Sequence, residues 1–348
     1  MTNAKKYQRC MILSGGGFRF GYFLGMYAAL AAQNKAPDIL LGTCGGAVAA
    51  AIIQGLPNDA ARKQWIRSPQ MHNYWRGLKT NPQSRLTGTI WNAAKRRLLA
   101  NDAKYIPDLL RDYLFEIEQY VPLPQCTTDF EHKPAVAILA GQLQYKESEI
   151  GILRHKRKLF NEIVFCDDRS NQLLMGQSSA VSSPSNAVST EVLLSTQMPM
   201  DEAARASISD MYYFRCHNYA GQCFVGGAIN LVPTEIARAL AHQIIVEKKS
   251  AYDRQLAIPA IKAVFGIEAN ERLAQVHAQA VDCWIDTSDM TTALKQDSFD
   301  KKLNWRKNQI ELAAPASYDA FTEMIDSQWQ YGYERATQAL MTSTHSLA

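Results

Sequence analysis

Two glycine clusters, each directly after a short apolar run, constrain the fold of this chain more than any other feature. Residues 9–13 predict a short buried strand, which Gly15, Gly16 and Gly17 end. Residues 38–41 predict a second strand, and the turn at residues 42–46 follows it. An Ala-rich stretch between the clusters predicts a helix over residues 18–33. Alternating strands and helices imply a parallel sheet with right-handed crossovers, and therefore an α/β fold.

The rest of the chain continues this alternation. Residues 58–120 carry an amphipathic pattern that predicts helices rich in Trp, Lys and Arg, and residues 178–189 predict a Ser-rich loop. Further strands are predicted at residues 135–145, 150–154, 160–165, 211–216, 222–225, 244–246 and 283–285, and further helices at 47–53, 201–207, 233–243 and 318–340. We expect one domain over residues 1–348, with a core at about 8–247 and a C-terminal extension, 248–348, packed on it.

The composition argues against several classes of protein, among them nucleic-acid-binding, zinc-binding, disulfide-rich and membrane-spanning proteins. The formal net charge is +4, so nothing favours a nucleic-acid partner. Seven cysteines without a CxxC spacing indicate neither a zinc site nor a disulfide framework, and favour a reducing, cytoplasmic setting. The sequence predicts no signal peptide and no transmembrane helix. We expect no cofactor and no metal.

The second cluster has the spacing of a nucleophile elbow. Gly42, Cys44 and Gly46 form a Gly-x-Cys-x-Gly turn between a strand and a helix. Such a sharp turn needs small neighbours and projects its central side chain above the sheet. The helix that begins near Gly45 would favour a negative group there, and so a thiolate at Cys44. The alternative is that Cys44 is only a small residue that fits the turn.

The first cluster can bind an anion. Consecutive glycines after a strand leave backbone N–H groups free to hold a phosphate or the oxyanion of an acyl-transfer intermediate. Gly15, Gly16 and Gly17 lack the GxGxxG spacing of a dinucleotide site. Arg19 is a candidate for binding the same anion.

Together the two clusters resemble the patatin-like phospholipase family. In that family a glycine-rich loop supplies the oxyanion hole, and a GxSxG elbow supplies the serine of a Ser-Asp dyad. Residues 205–211 resemble the family's RASSAIP segment, residues 224–233 resemble its Asp-Gly-Gly segment, and residues 331–336 resemble its closing helix. The resemblance implies a three-layer α/β/α sandwich with a mostly parallel sheet, and a fatty-acyl ester or phospholipid as substrate.

The sequence departs from that pattern at both members of the dyad. Cys44 stands at the serine position, and Val225 stands at the aspartate position, counted across Gly226-Gly227. In addition, Phe20 replaces a glycine after the loop arginine, and Met211 replaces a proline. Valine cannot accept a proton. Asp210 and His217 lie close in sequence to this segment, and Asp210 is the candidate surrogate for the base.

Two functions follow from these departures. The first is an acyl-ester hydrolase homologue that is weak or inactive as a lipase, with Gly16, Gly17 and Gly45 holding the oxyanion. The alternative is a catalytically dead protein that binds acyl lipids or regulates a partner. In the alternative, the basic segment 62–97, which contains Trp75 and Trp91, would contact a membrane surface peripherally, or it would simply cap the sheet.

Overall fold

A nine-stranded sheet lies at the centre of the part of the chain that the computed structural model describes, which is residues 4–99, 103–117, 120–125, 130–155, 157–175 and 189–342. Its strands are β1 (Tyr7–Ser14), β2 (Ile39–Thr43), β5 (Ala135–Leu143), β6 (Phe160–Phe165), β7 (Ser189–Ser195), β8 (His217–Tyr219), β9 (Gln222–Val225), β10 (Ala241–Lys248) and β11 (Cys283–Asp286). Two small pairs lie apart from it, β3 (Lys79–Thr80) with β4 (Phe115–Glu116) and β12 (Asp300–Asn304) with β13 (Gln309–Ala313).

Helices cover the sheet. They are α1 (Gly21–Ala32), α2 (Gly45–Gly55), α3 (Asp59–Ile66), α4 (Pro69–Arg76), α5 (Leu86–Leu99), α6 (Asp168–Met175), α7 (Met200–Ser207), α8 (Thr234–Leu240), α9 (Ala257–Phe265), α10 (Ala269–His277), α11 (Met290–Ala293) and α12 (Tyr318–Thr342). None of the helices in the described ranges is both long and apolar enough to cross a membrane.

The sheet is mostly parallel, in the order β11-β10-β1-β2-β5-β6-β7. The five strands from β11 to β5 run parallel, whereas β6 pairs antiparallel with β5. Strand β9 also pairs antiparallel with β5, and β8 pairs with β9. The predicted α/β fold with a mostly parallel sheet is confirmed.

Both faces of the sheet are buried, as the continuous apolar strands require. In β1, Met11 and Leu13 pack into the apolar core on one face, and Cys10 and Ile12 pack into the core on the other. The carboxyl ends of β1 and β2 meet at one edge, because Ser14 pairs with Thr43. This edge carries both glycine clusters.

Three sequence-based expectations differ from the structure. Residues 58–120 are not continuously helical, because an amphipathic pattern does not distinguish long helices from the short α3, α4 and α5 joined to a strand pair. Residues 150–154 form a turn with an isolated bridge to Tyr105. The predicted strand at 211–216 is a turn instead, in which Asp210 O accepts the N–H groups of Tyr213 and Phe214. Residues 178–188 of the predicted Ser-rich loop lie outside the described residues.

The last helix crosses the first at two glycines. A Cβ atom on Gly332 would lie 1.9 Å from the carbonyl oxygen of Tyr22, and one on Gly25 would lie 2.0 Å from that of Trp329. The backbones of α1 and α12 therefore touch. The expectation of one domain, with residues 248–348 packed on the core, stays a prediction. The contact between α1 and α12 provides a way to test it.

We expect Gly25→Ala and Gly332→Ala each to lower the free energy of unfolding by at least about 1–3 kcal/mol, because the added methyl group forces the helices apart. Urea unfolding measures the change. Gly88→Ala is the control, since a Cβ there meets nothing within 4 Å and should be neutral or stabilising. Unchanged stability in Gly332→Ala would show that α12 does not hold the core in this way.

Candidate functional site

Cys44 lies at the apex of the turn between β2 and α2. Its backbone angles, φ 52° and ψ −125°, fall in a region that non-glycine residues rarely adopt. The turn closes over Gly42 and Gly46, and a Cβ on Gly46 would lie 1.9 Å from the carbonyl oxygen of Leu13. The strained, glycine-lined turn is the geometry of a nucleophile elbow.

The two glycine clusters pack backbone against backbone. A Cβ on Gly45 would lie 2.6 Å from the carbonyl oxygen of Gly17 and 2.9 Å from that of Gly15. The N–H of Gly46 donates to the Gly15 carbonyl at 3.2 Å. Gly15, Gly16 and Gly17 all have positive φ, at 69°, 93° and 57°. This conformation lets the loop lie directly beside the elbow.

Some backbone N–H groups of the site are hydrogen-bonded within the protein, and others are available to a ligand. Gly15 donates to the carbonyl and hydroxyl oxygens of Thr43. Within the described part of the chain, the N–H groups of Gly16 and Gly17 have no hydrogen-bond acceptor. The interaction with the N–H of Gly45, in the first turn of α2, lowers the pKa of the Cys44 thiol. The free donors lie on the loop that faces the thiol.

Asp210 supplies a carboxylate to the thiol. The Sγ of Cys44 donates to Oδ2 of Asp210 at 2.9 Å. Asp210 follows α7, and the N–H of Gly226 holds its loop by donating to the carbonyl of Ser209 at 2.8 Å. Gly226 also makes room for the carboxylate, since a Cβ there would lie 2.4 Å from Oδ1. That buried Oδ1 has no hydrogen-bond partner among the described residues.

The electrostatics of this pair place the proton on sulfur. Burial raises the pKa of Asp210 to about 6, and the hydrogen bond from Cys44 partly opposes this. Burial also raises the pKa of the Cys44 thiol well above its ordinary value, and the charge of Asp210 raises it further. At neutral pH the resting pair is therefore a neutral thiol donating to an ionised carboxylate.

Ser207 holds the elbow in place, a role that the sequence reasoning missed. Its hydroxyl accepts the N–H of Cys44 at 2.9 Å and donates to the carbonyl of Leu139 on β5 at 2.7 Å. The side chain is fully buried. Its place in the RASSAIP-like segment was the available signal. Because Ser207 consumes the N–H of Cys44, that group is not a free donor for a ligand.

Val225 lies in the apolar core. Its side chain is fully buried in the cluster that includes Leu139 and Ile229, and its residue pairs with Gly141 of β5. A carboxylate at this position would have to enter apolar surroundings. That position 225 is where the family's aspartate would stand remains a prediction.

The other two candidates differ in their placement. Arg19 lines a cavity beside Cys44, and its Nε donates to the carbonyl of Leu294 at 3.5 Å. His217 bonds Glu202 at 2.5 Å and lines neither cavity described below. No group of three or more His, Cys, Asp or Glu side chains that could hold a metal occurs in the described ranges.

A buried glutamate, Glu247, anchors the start of the glycine loop through hydrogen bonds. The sequence reasoning also missed this residue. Glu247 accepts hydrogen bonds from the hydroxyls of Tyr22 at 2.8 Å, Thr287 at 3.0 Å and Ser14 at 3.3 Å. It also pairs with the ammonium of Lys249 at 2.8 Å, and that ammonium donates to the carbonyl of Ser14. Lys249 thus adds a positive charge beside Gly15. These partners come from distant positions in the chain.

Two cavities meet at Cys44, one of about 400 Å³ and one of about 750 Å³. Both are lined by Gly17, Cys44, Asp210, Tyr213 and Lys301. Aromatic side chains dominate the smaller cavity, namely Phe18, Phe20, Trp75, Phe214 and Phe299. Aliphatic side chains dominate the larger one, among them Leu86, Ile90, Leu231, Leu256, Ile261 and Leu303.

We expect Ser207→Ala to lower the free energy of unfolding by about 1–3 kcal/mol, because it strands the buried N–H of Cys44 and the carbonyl of Leu139. Thermal unfolding measures the loss. Ser250→Ala, at an exposed position, should change stability by less than about 0.5 kcal/mol. Equal stability of the two variants would remove Ser207 from the support of the elbow.

Comparison with known proteins bears on the identity of this arrangement. The family model for patatin-like phospholipase matches residues 11–238, which include both glycine clusters, Cys44 and Asp210. Among solved structures, VipD from Legionella pneumophila is similar, with a TM-score of 0.39 and 11% identity over 98% of this chain and 68% of the VipD chain. No curated protein matches in sequence. Because the family model covers more than half of it, this chain belongs to the patatin-like phospholipase family.

Proposed function

We propose that the protein is a lipid acyl-ester hydrolase in which Cys44 is the nucleophile and Asp210 is the base. The observation that carries the proposal is the 2.9 Å hydrogen bond from the thiol to the carboxylate, at the apex of a nucleophile elbow. A nucleophile within hydrogen-bond reach of a base is the signature of covalent catalysis. The sequence alone predicted a weak or inactive lipase, because Cys44 and Val225 stand at the positions of both members of the family's dyad.

The first half-reaction forms a thioester. Sulfur attacks the ester carbonyl while Asp210 takes the thiol proton, and the N–H groups of Gly16 and Gly17 stabilise the oxyanion. Collapse of the intermediate breaks the C–O bond, and protonated Asp210 returns the proton to the leaving alkoxide. In the second half, Asp210 removes a proton from water, which attacks the thioester. Collapse of this second intermediate breaks the C–S bond, protonated Asp210 returns the proton to the leaving thiolate, and the carboxylic acid is released.

A thiol suits a dyad whose base is a carboxylate. The ordinary pKa of a thiol, near 8.5, is far below that of an alcohol. A weak base such as the Asp210 carboxylate can therefore deprotonate a thiol more readily than a serine hydroxyl. Burial raises the pKa of Asp210 to about 6 and so makes this carboxylate a stronger base, although burial also raises the pKa of the Cys44 thiol that it must deprotonate. The charge of Lys249 opposes the rise in the pKa of Cys44 and thereby favours the thiolate.

The two cavities support a fatty-acyl ester or phospholipid as the substrate. Each can hold one apolar arm of an ester whose carbonyl lies at Cys44. Lys301 lines both cavities, and its ammonium lies 4.4 Å from the ring centroid of Tyr213. No acidic side chain in the described ranges forms an ion pair with Lys301. It therefore offers a positive charge for an anionic group such as a phosphate.

The alternative is a protein that binds acyl lipids, or regulates a partner, without turnover. The raised pKa of Cys44 supports it, since a neutral thiol is a poor nucleophile unless Asp210 deprotonates it. The cavities would then serve for binding alone.

Peripheral contact with a membrane and a cytoplasmic setting belong to the proposal as well. The segment 62–97 offers only part of its length for such contact. Arg62 is buried over the ring of Tyr27, and Trp75 is buried against Phe18 and Phe20. Helices α3 and α4 therefore cap the sheet, whereas α5 leaves large apolar side chains exposed.

We expect hydrolysis of p-nitrophenyl acyl esters to disappear in Cys44→Ala and to fall by about 10²–10⁴ in Asp210→Asn, because each removes one partner of the proton transfer. Cys166→Ala is the control, because this half-buried thiol lies outside both cavities. Steady-state rates over several acyl lengths measure the effect, and thermal unfolding verifies that each variant is folded.

Two results would contradict the assignment. If turnover appears only when Val225→Asp is added to Cys44→Ser, the base belongs at position 225 rather than 210. If no ester is turned over but fatty acid binds saturably, the binding function replaces the hydrolase.

A further inference from the structure

Helix α5 has two apolar faces, and only one of them faces the protein. Ile90 and Ala93 line the larger cavity. On the opposite side, Trp91, Lys95 and Leu98 follow the i, i+4, i+7 spacing that places side chains on one helical face. Trp91 is 70% exposed and Leu98 is 78% exposed. An exposed apolar stripe on a helix indicates a surface that contacts something else.

Two further segments extend this stripe around the mouth of the larger cavity. Leu256 and Leu303 both line that cavity, yet are 67% and 53% exposed, so they stand at its opening. Trp305, in the turn between β12 and β13, is 68% exposed. The same turn is fixed to the start of α5, because the N–H of Leu86 donates to the carbonyl of Asn308 at 2.7 Å. We define the docking face as residues 86–98, 254–256 and 300–308.

The docking face lies in strongly basic sequence. Its three stretches, 86–98, 254–256 and 300–308, together contain eight Lys and Arg, one Asp and no Glu, whereas the whole chain has a net charge of +4. Lys95, Arg97, Lys302 and Arg306 are exposed. Each lies within a few residues of an exposed Trp or Leu. Aromatic and basic side chains interleaved in this way suit the boundary between anionic headgroups and acyl chains.

We propose that the docking face binds the surface of an anionic membrane. Trp91, Trp305 and Leu98 enter the headgroup region, the basic side chains pair with anionic lipids, and the mouth of the larger cavity opens onto the bilayer. A lipid chain could then reach Cys44 without crossing water. A symmetric pair of chains is disfavoured, because the same cluster of positive charges would face itself across the two-fold axis. The proposal goes beyond the hydrolase assignment and does not require turnover.

Flotation with lipid vesicles tests the proposal, using Cys44→Ala protein so that hydrolysis plays no part. We expect binding to phosphatidylcholine vesicles containing phosphatidylserine, weak binding to phosphatidylcholine alone, and loss of binding as salt rises. Since one basic residue near such a surface contributes about fivefold in partitioning, Lys302→Glu with Arg306→Glu should weaken binding at least tenfold. Trp91→Ala with Trp305→Ala should weaken it on both kinds of vesicle.

Matched controls lie at the opposite edge of the sheet. Lys5→Glu changes the charge just before β1, and Met175→Ala removes a side chain that is 66% exposed at the end of α6, the helix whose Arg169 bonds the carbonyl of Lys5. Both should bind vesicles as the parent does. The proposal is overturned if the docking-face variants also bind as the parent does. It is overturned too if the parent does not bind anionic vesicles, and dimerisation with rising concentration would then assign the face to a second copy of the chain.

Discussion

The approach of the glycine loop to the elbow, with no side chain between them, is the constraint on which the site depends. Gly45 lies so close to the carbonyl oxygens of Gly15 and Gly17 that a Cβ atom on Gly45 would clash with both. The contact is possible because β1 and β2 are parallel neighbours that end at the same edge of the sheet. It brings the N–H groups of Gly16 and Gly17, which have no acceptor among the residues that the structure describes, to a residue held in a strained turn. Any ligand at Cys44 therefore also faces the loop.

The remaining parts of the site are arranged around that contact. Ser207 takes the N–H of Cys44, so the elbow is held from the β5 side. Glu247, near the end of β10, and Lys249, directly after that strand, hold the loop from the other side. Asp210 reaches the thiol from the turn after α7. A chain in which the carboxylate comes from residue 210 can keep an apolar residue at 225, where Val225 fills the core beside Gly141.

The sequence predicts the parts of the site that depend on local spacing. Strand, glycine loop, helix, strand and elbow follow one another within about 55 residues, so their pattern alone indicates the sheet edge and Cys44. Asp210 could be nominated only because it lies close in sequence to residues 224–233, which resemble the family's Asp-Gly-Gly segment. Ser207 escaped notice because its partners, Cys44 and Leu139, are set by strand order. The same holds for Glu247, whose partners Tyr22 and Thr287 lie far away in the chain.

The most direct test of the account is the rate of acyl-enzyme formation at Cys44, measured against pH by rapid quench and mass spectrometry. Asp210 must be ionised to accept the thiol proton, and burial raises its pKa to about 6. The account predicts that the rate in the parent rises through about pH 6 to a plateau. In the Asp210→Asn variant, acylation should be slow, and its rate should not increase through about pH 6. The same rate and the same pH profile in both proteins would contradict the assignment of Asp210 as the base.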